Sequence, residues 1–466
     1  MSQDALIQER SGPPPTRAEL SRGTILVLGL GRAGINIARF LLRIGARVIG
    51  YDEDARVLGS DAVRALVRQG LKLVTRPLGT NADWVVVSPG IAEEHKLVRA
   101  LRRKRMMLVD ELDLASQLVP GPVIGITGSN GKSTTTALIA EMLKAGGKRV
   151  FCGGNLAPGR PLSSGLRLSQ QDYYVVEVSS FQLERARWFA PKVAVILNVT
   201  AEHLNRHGTF ERYAECKFRI LDRQTRDDFA VLNLDDPIVV GAQRRGRAQK
   251  YFFAPTAHNC PGAYLADGGL WWRPASGTKE KVAERRMIRL RGRHNVENVL
   301  AAICTARLLG IKPAAIRRAL VRFKGLEHRL ELVRVLDRVE YVNNSMCTNS
   351  AAGIRSLEAF EQPVILIAGG REKGLPVEEY VAAMTRHAKW VLLVGENRHK
   401  LARSLSALGY DQFELCADLP AAVLGARRRA RPGDVVLFSP GFASFDQFRD
   451  FQERGKVFKD AVGRLS

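Results

Sequence analysis

The stretch Gly125-Ile-Thr-Gly-Ser-Asn-Gly-Lys-Ser-Thr-Thr-Thr136 brings together the groups that bind a phosphate. It follows an apolar run at 123–126 and leads into a helical pattern over 134–144. Strand, glycine-rich turn, Lys-Ser and helix are the grammar of a phosphate-binding loop. Such a turn aims several backbone N–H groups at one point, and the helix N-terminus adds its partial positive charge. Lys132 supplies a mobile cation for the β and γ phosphates, and Ser133 offers a hydroxyl to Mg2+. The first glycine of G-x-x-x-x-G-K-[ST] would fall at Ile126. The core Gly128, Ser129, Asn130, Gly131, Lys132, Ser133, Thr134 is therefore a variant loop. The bland alternative is a glycine turn beside a surface lysine.

A phosphate loop brings Mg2+ with it, and a hard cation wants oxygen ligands. Glu177 ends the strand pattern at 173–178, where an acid is placed as a second metal-binding carboxylate; a capping or ion-paired glutamate is the alternative. His203 follows the strand pattern at 193–199, as a metal ligand or as a structural histidine. Lys217, in Tyr213-Ala-Glu-Cys-Lys217 on a helical stretch, reads by itself as a surface lysine.

These residues need a scaffold. Residues 24–30 read as a buried parallel strand. Gly29-Leu-Gly31-Arg-Ala-Gly34, a helix over 35–44, a strand over 46–51 and Asp52 follow. Taken alone, this dinucleotide-type βαβ opening suggests NAD or FAD. It continues through a strand and turn over 84–91 to a linker at Val119-Pro-Gly-Pro122. That leaves about 95 residues, short for an NAD domain built of two βαβαβ halves. Residues 122–326 then carry strand patterns at 123–127, 148–152, 173–178, 193–199 and 229–234. A more irregular section lies at 248–291 and a helix at 296–309. Helical segments between the earlier strands imply a parallel sheet. Residues 327–466 hold three apolar strands that end in glycine, at 364–370, 391–395 and 435–441.

The 466 residues fit about three domains. With 45% hydrophobic and 25% charged residues, the composition is that of a soluble globular protein. No apolar run reaches the roughly 18 residues of a membrane span. Residues 1–22 are polar, carry Pro13-Pro-Pro15 and read as a disordered tail. The six cysteines are scattered with no C-x-x-C, as free thiols in a reducing cytoplasm would be. The net charge of +24 favours anionic partners. The basic clusters lack interleaved aromatics, which favours solvated basic faces over a nucleic-acid site.

At this point a whole pattern is recognisable. The sequence resembles the Mur ligases, and within them the glutamate-adding members. The residues that carry the resemblance run from about 24 to the C-terminus. They include Thr127-Gly-Ser-Asn-Gly-Lys-Ser-Thr134, Gly153-Gly-Asn155, Glu177-Val-Ser-Ser-Phe-Gln-Leu-Glu184 and Leu197-Asn-Val-Thr-Ala-Glu-His203. Further on are Tyr213 with Lys217, His294-Asn-Val-Glu-Asn298, Gly325-Leu-Glu-His-Arg329, Asn343-Asn-Ser-Met-Cys-Thr-Asn349 and the run from Ser439 through Ser444-Phe-Asp-Gln-Phe to Phe451.

The resemblance implies an α/β protein of three domains. A Rossmann-like UDP-binding domain spans 23–121, a central ATPase-type parallel sheet 122–326, and a Rossmann-like amino-acid-binding domain 327–466. It implies a cytoplasmic enzyme of peptidoglycan precursor synthesis, with a monomer as the default expectation. ATP phosphorylates the carboxylate of UDP-N-acetylmuramoyl-L-alanine, and D-glutamate displaces the phosphate. A related amide ligase using L-glutamate or another acceptor is the alternative. Lys132 would grip the γ-phosphate, Ser133 and Glu177 one Mg2+ and His203 a second, while Lys217 matches a lysine that is carbamylated in the family. Asn295, Asn298, Arg329 and Asn344 match ATP contacts. Gly29, Gly31, Gly34, Asp52, Ser88, Pro89 and Gly90 match the UDP-substrate side, and Asn155 matches a UDP-substrate or metal-site position. Thr348, Lys373, Ser444 and Phe451 match glutamate contacts. The family often has Asn-Asp-Ser-Lys-Ala-Thr-Asn at 343–349, so Asn344 replaces an aspartate and Met346 a lysine. Asn205 stands where Asp is common.

Overall fold

The computed structural model describes residues 12–156, 159–200, 202, 204–372 and 377–466. Three sheets carry the chain. The first holds β1 (Thr24–Leu28), β2 (Arg47–Tyr51), β3 (Lys72–Leu73), β4 (Trp84–Val87) and β5 (Met107–Asp110) in the order β3-β2-β1-β4-β5. All its pairings are parallel. Their apolar runs are buried on both faces, as a sheet with crossover helices requires. The order in which strands are added reverses between β1 and β4, and such switch points open a crevice at the carboxyl ends of the strands. The loops after β1 and β4 carry Gly29–Gly34 and Ser88–Gly90 to that crevice. The helix Arg32–Arg43 packs so closely on β1 that a Cβ on Gly34 would stand 1.9 Å from the Gly29 carbonyl oxygen.

The second sheet has β6 (Val123–Thr127), β7 (Val150–Gly154), β8 (Tyr173–Glu177), β9 (Val193–Ile196), β10 (Phe229–Asn233), β11 (Gln249–Ala254), β12 (Gly262–Ala266), β13 (Gly269–Arg273) and β14 (Glu280–Glu284). Its order is β14-β13-β12-β11-β10-β9-β6-β8-β7. β13 runs antiparallel to both its neighbours, β12 and β14, which resolves the irregular section at 248–291. β6 lies between β8 and β9. The segments that follow these three strands are therefore neighbours.

The third sheet contains β15 (Glu331–Leu336), β16 (Val339–Asn343), β17 (Val364–Ala368), β18 (Ala388–Leu393), β19 (Phe413–Leu415) and β20 (Val435–Phe438), in the order β15-β16-β20-β17-β18-β19. Three of these strands are absent from the sequence reading. β19 has three residues, and the β15–β16 hairpin turns on Asp337 and Arg338, both at positive φ. A two-residue turn with both φ values positive normally announces itself by Asn-Gly or Asp-Gly. Here an Asp-Arg pair conceals it. β16, β20 and β17 are adjacent, which gathers the segments after Asn343, Phe438 and Ala368.

The chain forms two compact units. One extends to Ile288 and takes in Arg293–Phe323, so it holds the first two sheets; the other joins Arg289–Gly292 to Lys324–Ser466. Among the described residues no helix is long and apolar enough to cross a membrane. All six cysteines are unpaired.

Candidate functional site

β6 ends at Thr127 and the helix Lys132–Ala145 begins five residues later, two residues earlier than its periodicity suggests. The turn between them needs its glycines. Gly128 has φ +151°, and Gly131, the residue before the helix, has φ +83°. A side chain at Gly131 would also meet the Asn298 amide oxygen at 2.2 Å. The turn is fixed by groups that follow β9. Ser129 N–H donates to the Asn198 carbonyl at 2.9 Å. The Asn130 N–H donates to Asn198 Oδ1 at 2.8 Å, and Asn198 Nδ2 returns a bond to the Asn130 carbonyl at 3.2 Å. Ser129 Oγ receives the Thr200 N–H at 2.9 Å and contacts the Tyr213 hydroxyl at 2.9 Å. Asn198 and Tyr213 were not singled out as site residues from the sequence, although both lie in the motifs quoted. An asparagine just past a central strand, opposite a glycine turn, was the available signal.

The ammonium of Lys132 folds back onto the turn and donates to the Gly128 and Ser129 carbonyls at 2.9 and 2.7 Å. Lys217 reaches the same Gly128 carbonyl at 2.8 Å from the helix Phe210–Phe218, with its ammonium 4.5 Å from the Tyr213 ring centre. The structure thus moves Lys217 from an apparent surface position to the interior, where the residue is 2% exposed. Burial, and then the Lys132 charge, hold its amine well below the ordinary 10.5 of lysine. Two lysine side chains converging on one carbonyl at a helix N-terminus make a focus suited to an anion.

Beside it stands an oxygen pair. The Ser133 hydroxyl donates to Glu177 Oε2 at 2.6 Å, and the Asn155 amide donates to Glu177 Oε1 at 3.2 Å. Both Ser133 and Glu177 are buried. β7 and β8 are pressed together here, because a Cβ on Gly154 would lie 2.2 Å from the Glu177 carbonyl oxygen. A hydroxyl and a carboxylate already in contact form a hard donor set of the kind Mg2+ takes. His203 lies outside the described residues.

From the helix Arg293–Leu308, Asn298 Oδ1 accepts from the Thr135 hydroxyl at 3.2 Å, and Asn298 Nδ2 donates to Asn295 Oδ1 at 3.0 Å. This pair therefore abuts the back of the phosphate loop. Thr134 is buried in the loop helix.

In the first sheet, Asp52 organises the turn after β1. Its Oδ2 accepts the Leu30 N–H at 2.7 Å and its Oδ1 the Asp54 N–H at 2.9 Å. Gly29, at φ +84°, has room for no Cβ, since Ser88 Cβ would be 2.7 Å away. Gly31 faces open space at the helix start, and Pro89 and Gly90 continue the turn after β4. Sequence reasoning missed what holds this second turn. Arg185 donates to Glu93 and to the Ile91 carbonyl, and Arg206 reaches the same carbonyl at 3.3 Å.

In the second unit, Asn344 is buried. Its Oδ1 accepts the Leu330 N–H at 3.2 Å and its Nδ2 donates to Ser439 Oγ at 3.1 Å. It thereby holds the turn that bears Arg329, where His328 and Leu330 both have positive φ. Met346 N–H donates to the His328 carbonyl at 3.0 Å, and the Met346 side chain brings no charge. Thr348 is half-buried and Ser444 buried. Phe451 opens the helix Phe451–Gly463 and packs edge-on to His328, ring centres 6.2 Å apart. Lys373 lies outside the described residues.

Three sequence profiles match the chain. The Mur ligase MurD-like N-terminal domain covers 23–110, the Mur ligase middle domain 126–306, and the Mur ligase glutamate ligase domain 328–442. A UDP-N-acetylmuramoylalanine--D-glutamate ligase from Pelotomaculum thermopropionicum is 39% identical over 95% of this chain and 98% of its own. One of the same description from Koribacter versatilis is 38% identical over 95% and 97%. Among solved structures, the UDP-N-acetylmuramate-alanine ligase from Thermotoga maritima superposes with a TM-score of 0.57 at 18% identity, covering 95% of this chain and 99% of its own. The MurF ligase from the same organism, solved in complex with ADP, gives 0.57 at 19% identity over 97% of both chains. These two structures are similar in fold.

Proposed function

The chain belongs to the Mur ligase family, and we propose that within it this protein joins D-glutamate to UDP-N-acetylmuramoyl-L-alanine at the expense of ATP. The observation that carries the chemistry is the meeting of Lys132 and Lys217 at the Gly128 carbonyl, beside the Ser133–Glu177 pair. The choice of amino acid is supported by relatives at 35–39% identity that bear the name of the D-glutamate ligase.

The reaction must bring one anion onto another. A carboxylate oxygen of the alanyl substrate attacks the γ-phosphorus. That O–P bond forms as the bond to the bridging oxygen breaks, and ADP departs. The amine of glutamate then attacks the acyl carbon; the C–N bond forms and phosphate leaves. Positioning and charge neutralisation supply most of such catalysis. Lys132 is assigned to the β and γ phosphates, where it would exchange two loop carbonyls for phosphate oxygens. The loop N–H groups of Gly128 to Thr134 cradle the same phosphates. Ser133 and Glu177 would hold one Mg2+, with Asn155 aligning the carboxylate; bound there, the ion would draw charge off the phosphates. His203 is assigned to a second ion. Lys217 is assigned as its carbamate, because a buried amine held toward its neutral form is the form that adds CO2.

Asn295, Asn298, Arg329 and Asn344 are assigned to ATP. The crevice formed by Gly29, Gly31, Gly34, Asp52, Ser88, Pro89 and Gly90 is assigned to UDP. Thr348, Lys373, Ser444 and Phe451 are assigned to glutamate. The corresponding domains are 23–121, 122–326 and 327–466. A monomer working in the cytoplasm is the accompanying reading.

The test is phosphate release by the purified protein with ATP, Mg2+ and UDP-N-acetylmuramoyl-L-alanine, with D- or L-glutamate. Release is expected only with the D-enantiomer. Release with L-glutamate alone would reassign the amino acid, and release with neither would remove the ligase reading.

A further inference from the structure

Arg454 is a buried cation that none of the assignments above uses. It lies one turn into the helix Phe451–Gly463, is 3% exposed, and bonds no carboxylate among the described residues. Instead its Nε donates to Ser345 Oγ at 3.1 Å, its Nη2 to the Ser345 carbonyl at 2.9 Å and its Nη1 to the Phe442 carbonyl at 3.0 Å. The nearby Asp446 is otherwise engaged, accepting the Glu396 N–H at 3.0 Å. The Phe438 ring centre lies 5.9 Å from the guanidinium, and a buried charge met by neutral oxygens and a ring without a carboxylate opposes folding. Burial lowers the guanidinium to about 10, which leaves it charged at neutral pH.

Its partners belong to the segments that carry the proposed glutamate contacts. Ser345 is three residues before Thr348, and Phe442 two before Ser444. Ser345 Oγ also donates to the Phe451 carbonyl at 2.8 Å. A fourth segment, leading toward Lys373, crosses the same place. A Cβ on Gly370 would come within 3.3 Å of Arg454 Nη1, and the Arg371 N–H donates to the Ala443 carbonyl at 2.9 Å. One guanidinium thus ties together the segments after β16 and β20 and the start of its own helix, with the segment after β17 packed against it.

We propose that Arg454 is the positioning residue for the side-chain carboxylate of the incoming amino acid, supplying the positive field that Thr348, Ser444 and Phe451, all uncharged, lack. The inference rests on the ligase reading and deepens it. Glutamate brings two carboxylates, and the assigned contacts include a single cation, Lys373. A second buried cation beneath the remaining contacts balances the account. Its five donors in a fixed fork hold several segments at once, which a lysine does not reproduce.

The experiment compares Arg454→Met and Arg454→Lys with wild type in the phosphate-release assay, using D-glutamate and D-glutamine as competing acceptors. D-Glutamine keeps the shape of the side chain and removes its charge. Arg454→Met is expected to raise KM for D-glutamate about tenfold or more and to lower the D-glutamate over D-glutamine preference by a similar factor, with KM for ATP within about twofold. Arg454→Lys, which keeps charge and loses the fork, should retain most of that preference while KM for D-glutamate still rises. An unchanged preference in an active variant overturns the inference and leaves the ligase reading intact. If Arg454→Met does not fold, the lysine variant decides alone: an unchanged KM for D-glutamate overturns it. Absence of D-glutamate-dependent release in wild type removes both.

Discussion

Lys132→Met is expected to lower kcat for phosphate release by about a thousandfold, with the fold intact. The ammonium sits at the N-terminus of the helix Lys132–Ala145 and donates to two loop carbonyls of its own turn, Gly128 and Ser129. Methionine keeps the length of the side chain, and the Gly128 carbonyl retains its bond from Lys217. What is lost is charge at the transferring phosphoryl group, where a single well-placed donor contributes about 10²–10³ in rate and a cation more. Circular dichroism and the thermal midpoint should stay close to wild type. Retained turnover within about tenfold would show that Lys217 or another cation carries the γ-phosphate.

Lys217→Met should separate stability from activity. The amine is buried against Tyr213 and Gly128, with another ammonium meeting it at the same carbonyl. Methionine has nearly the same length, accepts the apolar surroundings and removes the penalty of desolvating a charge. The thermal midpoint is expected to rise by about 2 °C or more at neutral pH, while kcat falls about a hundredfold or more. The sign with pH follows from the lowered value of Lys217. Between that value and 10.5 the unfolded chain binds more protons than the folded one, so wild-type stability rises with pH through the window. The variant's advantage is accordingly greatest at and below that lowered value and shrinks toward 10.5. A lower midpoint with full activity would return Lys217 to a structural role. Such a residue is expected where a site retains an unfavourable group for function.

The two lysines illustrate what a sequence can disclose. Lys132 was legible because its neighbours are constrained by backbone geometry: the turn needs glycine at Gly128 and Gly131, and glycines at fixed spacing before Lys-Ser are visible in one dimension. Lys217 carries no such mark. Its helix shows an ordinary mixture of polar and apolar residues, and only resemblance pointed to it. The Ser133–Glu177 contact joins the helix that follows β6 to the end of β8, the neighbouring strand, across 44 residues of sequence. Position at a strand's end suggested it; the 2.6 Å distance needed the fold. Arg454 was hidden more completely, because an arginine on an amphipathic helix normally extends its charge to water. The parallel strands were readable from their apolar runs. The β15–β16 hairpin was not, since Asp337 and Arg338 adopt positive φ without glycine.

In this mechanism a carboxylate of the UDP-linked substrate becomes an acyl phosphate before the amide forms. Substrate labelled with oxygen-18 in the alanyl carboxylate tests it most directly. With ATP, Mg2+ and D-glutamate, the released phosphate should carry one labelled oxygen, because the carboxylate oxygen that attacks phosphorus leaves with it when nitrogen takes its place. Phosphate released without label, in an assay that still forms the amide, would rule out the acyl phosphate.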